Sequence, residues 1–95
     1  MNRIQEIQLE LKLLKSNIIE ANKILETHRQ NLDTIKQNIF SKIFEFDLAL
    51  QLHYINNDSY TQKQIIKRSE YQINSYIKEL EKIGTPEALL TIILN

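Results

Sequence analysis

Ninety-five residues, 42% of them apolar and 25% charged, make one small domain and supply only a marginal compact core. Twelve basic residues balance twelve acidic ones, with seven of each sign in residues 1–47 and five of each in 48–95. That balance argues against a protein whose affinity comes from phosphate contacts. Cysteine is absent, which excludes a disulfide framework, thiolate metal sites and thiol catalysis.

Arg3, Glu6 and Glu10 stand where the apolar core of a secretory leader would begin. The densest apolar stretch, 88–94, is far too short to cross a bilayer. The expected location is therefore cytoplasmic.

The first element in chain order is a long amphipathic helix over residues 2–55, in which neither Gly nor Pro interrupts the chain. Ile4, Ile7, Leu11, Leu14, Ile18, Ala21, Leu25, His28, Leu32, Ile35 and Ile39 recur at alternating steps of three and four. This heptad spacing keeps one helix face toward a partner helix and sets up knobs-into-holes packing. Lys42 falls on the same row and marks the expected end of a two-stranded seam near Ile39. A rival reading breaks the helix in the polar run 27–31, with Asn31 capping a new one, but the heptad phase passes through it.

Residues 44–54 carry an ambiguous signal. Phe44, Phe46, Leu48, Leu50, Leu52 and Tyr54 alternate with more polar positions as a strand does. As helix, the same residues form a wide apolar arc suited to a segment enclosed by other helices. A lone two-stranded pair is weakly stable, so helix is preferred.

Asn56-Asn57-Asp58-Ser59 is the one strong turn signal and places a turn at 56–60. A second helix follows over 61–83, with Ile66, Ile73, Tyr76, Ile77, Leu80 and Ile83 at helical spacing and Ser69 in their row. Gly84 suits the position just past a helix end, where a left-handed backbone is required. Thr85-Pro86-Glu87 reads as cap, first helical residue and acid at the positive end of a third helix, 86–94. That apolar helix is expected to pack onto Phe40, Ile43, Phe44 and Leu48; the alternative is a partly uncovered helix whose patch another protein grips.

A helix of 54 residues would be roughly 80 Å long, and a returning one of 23 residues roughly 35 Å. The return would cover only the C-terminal part of the first helix. Residues up to about Leu32 would keep an uncovered apolar seam, which a second chain is the simplest way to bury.

Signals for chemistry are weak. Neither His28 nor His53 has a Glu three residues before it, and no His-x-x-x-His pair exists, so metal sites typical of helical bundles are not expected. His28 lies on the seam, where it would form a register-setting or pH-sensitive polar layer, or else remain a solvated or locally bonded side chain. Lys63, Lys67 and Arg68, with Tyr60 and Tyr71 nearby, form the densest basic cluster.

In size and helix lengths the chain is similar in outline to all-helical chorismate mutases. Such a site gathers several Arg and Lys from different helices around a dicarboxylate. Here Arg3, Arg29 and Arg68 are the only arginines, and no run matches that family's motif. One glycine also rules out a Gly-rich phosphate loop.

The sequence thus predicts an all-α, single-domain helical bundle, non-enzymatic and without cofactor. It is expected to act as adaptor, assembly factor or small inhibitor. It is expected to self-associate through Ile4, Ile7, Leu11, Leu14, Ile18, Leu25, His28, Leu32, Ile35 and Ile39, and to bind another protein. The alternative is a small helical nucleic-acid-associated regulator using Lys63, Lys67 and Arg68.

Overall fold

The computed structural model of the chain describes residues 2–39 and 45–94, without the side chains of 38, 39 and 45–47. It consists of two long helices, α1 (Arg3–Ile39) and α2 (Glu45–Ile83), and a short one, α3 (Pro86–Leu94). Among the described residues there is no strand, and 45–54 is helical.

α1 and α2 run antiparallel along their whole length. Arg3 meets Glu79 at one end, His28 meets Asp58 in the middle, and Ile35 packs with Leu48 and Ile55 at the other end. The result is a rod of 63 × 19 × 17 Å with a radius of gyration of 19.6 Å. A compact chain of this length would have a radius of about 12 Å.

Two expectations change with this topology. The helix expected over 2–55 ends at Ile39, and a new one starts at Glu45; Lys42 lies outside the described residues. The turn expected at 56–60 is helix instead, in the middle of α2. The polar side chains that signalled a turn are engaged elsewhere. Asp58 reaches across to His28, Asn57 contacts the His53 ring at 3.1 Å, and the Thr61 hydroxyl donates to the Asn57 carbonyl. The Asp58 contact lies across the hairpin and the other two lie within α2 at a spacing of four, as a continuous helix allows, and tertiary packing overrides the turn preference.

α2 has its own row at alternating steps of four and three: Leu48, Leu52, Ile55, Ser59, Gln62, Ile66, Ser69, Ile73, Tyr76, Leu80 and Ile83. This row faces the α1 seam. α1 also continues unbroken through 27–31, so the compact four-helix alternative is not formed.

The core is divided. At one end Ile4, Ile7, Leu11, Leu80 and Ala88 are buried, with Ile73, Tyr76 and Ile92 packed against them. At the other end Ile35, Leu48 and Ile55 are buried beside Leu32 and Leu52. The stretch between them is mixed: Leu14 and Ala21 are buried there with the polar His28, Gln62 and Ser69, and Ile18, Leu25 and Ile66 are half-buried.

The ends follow the capping rules. Asn2 accepts the Gln5 backbone N–H on its side chain at 2.9 Å, and Gln5 Oε1 accepts the Asn2 N–H at 3.2 Å, a reciprocal capping box. Gly84 has φ +66° and donates to the Leu80 carbonyl, and Thr85 Oγ1 accepts the Ala88 N–H at 3.2 Å.

α3 lies against Ile4, Ile7, Leu11 and Leu80, not against Leu48 as expected. Because α2 returns the full length of α1, its C-terminal end lies beside the N-terminal end of α1, and α3 packs there. Phe40, Ile43 and Phe44 lie outside the described residues.

Substituting Asn57→Pro separates helix from turn at this position. The ring removes the N–H bond to residue 53 and clashes with the preceding turn, costing about 3 kcal/mol or more in a helix interior. A marked loss of melting temperature is expected; an unchanged one would restore the turn.

Candidate functional site

The seam residues are brought together, but within one chain. Ile4, Ile7, Leu11, Leu14, Ala21, His28 and Ile35 are buried, and Ile18, Leu25 and Leu32 are half-buried. The side chain of Ile39 is not among those described. The partner that the heptads require is the row of α2, with α3 adding cover at the N-terminal end. The structural reason for assigning this seam to a second copy is thereby removed.

His28 is 7% exposed and neither solvated nor facing its own image. Its Nε2 lies 2.5 Å from Asp58 Oδ2, and the Tyr54 ring meets the imidazole edge-on at 6.0 Å. Gln62 Nε2 donates to the other Asp58 oxygen at 3.4 Å. Asp58 accepts from both neighbours, so its carboxyl is held below the ordinary carboxylate range, mainly by the His28 hydrogen bond. A carboxylate only accepts, so Nε2 carries the proton of this bond. His28 Nδ1 is buried and has no hydrogen-bond partner among the described residues. This cluster can fix register across the hairpin, because a slip of either helix would leave a buried polar group unpaired.

A second polar contact pins the end of the rod. The Arg3 guanidinium donates to both Glu79 oxygens at 2.6 and 2.9 Å and lies 5.8 Å from the Tyr76 ring centre. The pairing lowers the Glu79 carboxyl and raises the Arg3 guanidinium. Both side chains are substantially exposed, so solvent screens most of the gain.

Lys63, Lys67 and Arg68 are all exposed on the outer side of α2. Tyr60 and Tyr71 share their stripe and are largely solvent-exposed, as is Glu70. Of the apolar arc read in 44–54, Leu48 is buried and Leu52 half-buried while Leu50 and Tyr54 are exposed; Phe44 and the Phe46 side chain lie outside the described residues.

The largest exposed aliphatic groups are on α3. Ile93 is 78% and Leu94 76% exposed, and Leu89 and Leu90 also face outward. The helix buries Ala88 and Thr91 instead. Thr91 is tied by accepting from Gln8 Nε2 at 2.9 Å and donating to the Glu87 carbonyl. Beside α3 lies an open groove of about 330 Å³, lined among others by Leu11, Lys12, Glu87, Leu90 and Leu94. On α1, Leu9, Leu13 and Ile19 are exposed away from the seam.

No family model, curated protein or solved structure matches the chain. Among the described residues, no group of three or more His, Cys, Asp and Glu side chains is placed to hold a metal ion. No described helix is long and apolar enough to cross a membrane.

The His28–Asp58 pair yields a sign-specific prediction. His28→Leu and Asp58→Leu are each expected to lower the melting temperature, since each leaves a desolvated partner behind. The double variant should recover most of the loss. In the wild type, Asp58 titrates below its unfolded value of 3.8, so the unfolded chain binds protons first as pH falls. Stability is complete above that value and declines as pH falls through the folded one. Asp58→Leu should remove this component from the acid melting profile.

Proposed function

We propose that this chain is a cytoplasmic, non-enzymatic interaction module that self-associates and serves as adaptor, assembly factor or small inhibitor. The observation that supports it most is surface left over after folding. The chain exposes 7227 Å², whereas a compact chain of this size exposes roughly 5,700 Å². A standard interface takes about 800 Å² from each partner, so the surplus is sufficient for one. Since α2 fills the heptad seam, association falls to outer faces of the hairpin. A thin rod also presents several helical faces at once, as a protein that holds other helices requires.

The alternative reading is a nucleic-acid-associated regulator using Lys63, Lys67 and Arg68. Their shared exposure with Tyr60 and Tyr71 favours it, because bases stack on aromatic rings and phosphates pair with cations. Against it stand zero net charge and Glu70 within the same stripe. Fluorescence anisotropy with single-stranded and duplex oligonucleotides, titrated with salt, separates the two. Steeply salt-dependent binding would favour this reading.

Sedimentation equilibrium tests the main proposal. The weight-average mass should rise from one chain toward a multiple of it between micromolar and millimolar concentration. A single-chain mass throughout would contradict self-association.

A further inference from the structure

α3 is built inside out. Its seated side is Ala88 and Thr91, with Ile92 half-buried, while Leu89, Leu90, Ile93 and Leu94 point away from the hairpin. Nothing in the seating needs those four groups. The Thr85 cap, the Gln8–Thr91 hydrogen bond and the burial of Ala88 among Ile4, Ile7, Leu11 and Leu80 hold the helix in place. Four large aliphatic side chains on one side of a nine-residue helix form a patch of the kind that marks an interaction site.

We infer that this face of α3, with the groove beside it, seats the α3 of a second copy of the chain, antiparallel around a two-fold axis. The inference rests on the self-association reading and names its surface and geometry.

Charge complementarity points to a second copy. Glu87 is the one ionisable side chain on α3 and stands in its first turn. Lys12 and Lys15 line the groove together with Glu87 and Leu94 of the same copy, so two cations share it with one carboxylate. An antiparallel α3 pair brings Glu87 of each copy to the Leu94 end of the other, and so toward its Lys12. A two-fold axis makes every such contact twice. Antiparallel helix dipoles add to the same arrangement. A chain of zero net charge also meets its own copy without long-range repulsion.

The experiment uses the full chain. Ile93→Lys and, separately, Leu89→Lys place a charge in the centre of the contact at exposed positions, so the hairpin is expected to keep its helicity and melting temperature. Each should raise the dimer dissociation constant about tenfold or more, measured by sedimentation equilibrium. Leu13→Lys, on the outer side of α1, should leave it unchanged. A mixture tests the geometry. Chains carrying Lys12→Glu and chains carrying Glu87→Lys, one of them tagged, should form mixed dimers above their statistical share. Each homodimer then holds two like-charge contacts and the mixed dimer none.

Several results would overturn the inference. If the wild type associates but Ile93→Lys and Leu89→Lys associate equally well, another surface is used and only the inference falls. A mixture at its statistical share would remove the antiparallel geometry. A wild type that stays single-chain to millimolar concentration removes both the inference and the self-association reading. If that single chain instead floats with phosphatidylcholine vesicles and Ile93→Lys does not, the face belongs to lipid.

Discussion

The seam of α1 must be covered along its whole length, and every other feature of the molecule follows from how that is done. A helix of 37 residues with apolar groups at heptad spacing is not stable alone in water. α2, at 39 residues, is long enough to cover it from end to end. With α1 described to Ile39 and α2 from Glu45, that match places the C-terminal end of α2 beside Arg3, and thereby positions α3. The molecule is a rod because the cover is one helix thick.

A uniform apolar seam would allow the two helices to slide past each other by a heptad. The divided core opposes this. Between the apolar clusters at the two ends, the buried residues include the polar His28, Gln62 and Ser69 beside Leu14 and Ala21, and in this stretch the His28–Asp58 bond joins one position on α1 to one on α2. A shift by a heptad carries His28 away from its carboxylate while both remain largely desolvated. Such a pair adds little net stability over apolar residues of equal volume, but it penalises the wrong register. The polar centre is thus the cost of a unique alignment.

Much of this architecture was legible in the chain. The heptads of α1, its continuity through 27–31, the left-handed Gly84 and the Thr85 cap all follow from residue chemistry that tertiary packing leaves intact. The α2 row was legible from Ile66 to Ile83, with Ser69 in it, and so was α3; what was not legible is that α2 begins as early as Glu45. There Ser59 and Gln62 hold positions where apolar groups would have continued the row, while Asn56, Asn57, Asp58 and Ser59 together imitate a turn. Of these, Asp58 serves a contact across the hairpin, bonded 30 residues away, a distance that no local window reads. The capping box of Asn2 and Gln5 needed no structure to be seen, only attention to the two residues three apart. In the fold the α1 seam packs against α2 of its own chain, because α2 begins well before the turn signal at 56–59. The aliphatic character of α3 was also plain, yet which of its sides is seated depends on Thr91 and Gln8 and became visible only in the fold.

The decisive measurement is a distance between α1 and α2. The chain has no cysteine, so Glu10→Cys and Ser75→Cys, both at exposed positions, accept spin labels without background. Labelled protein diluted into unlabelled chain reports only intramolecular distances by pulsed electron resonance. A hairpin that reverses between Ile39 and Glu45 holds these helices about 10 Å apart and predicts a narrow label separation below about 30 Å. A turn at 56–60 would put Ser75 opposite residue 41 or so, about 45 Å along the helix from Glu10. A dominant separation near that longer value would contradict the account.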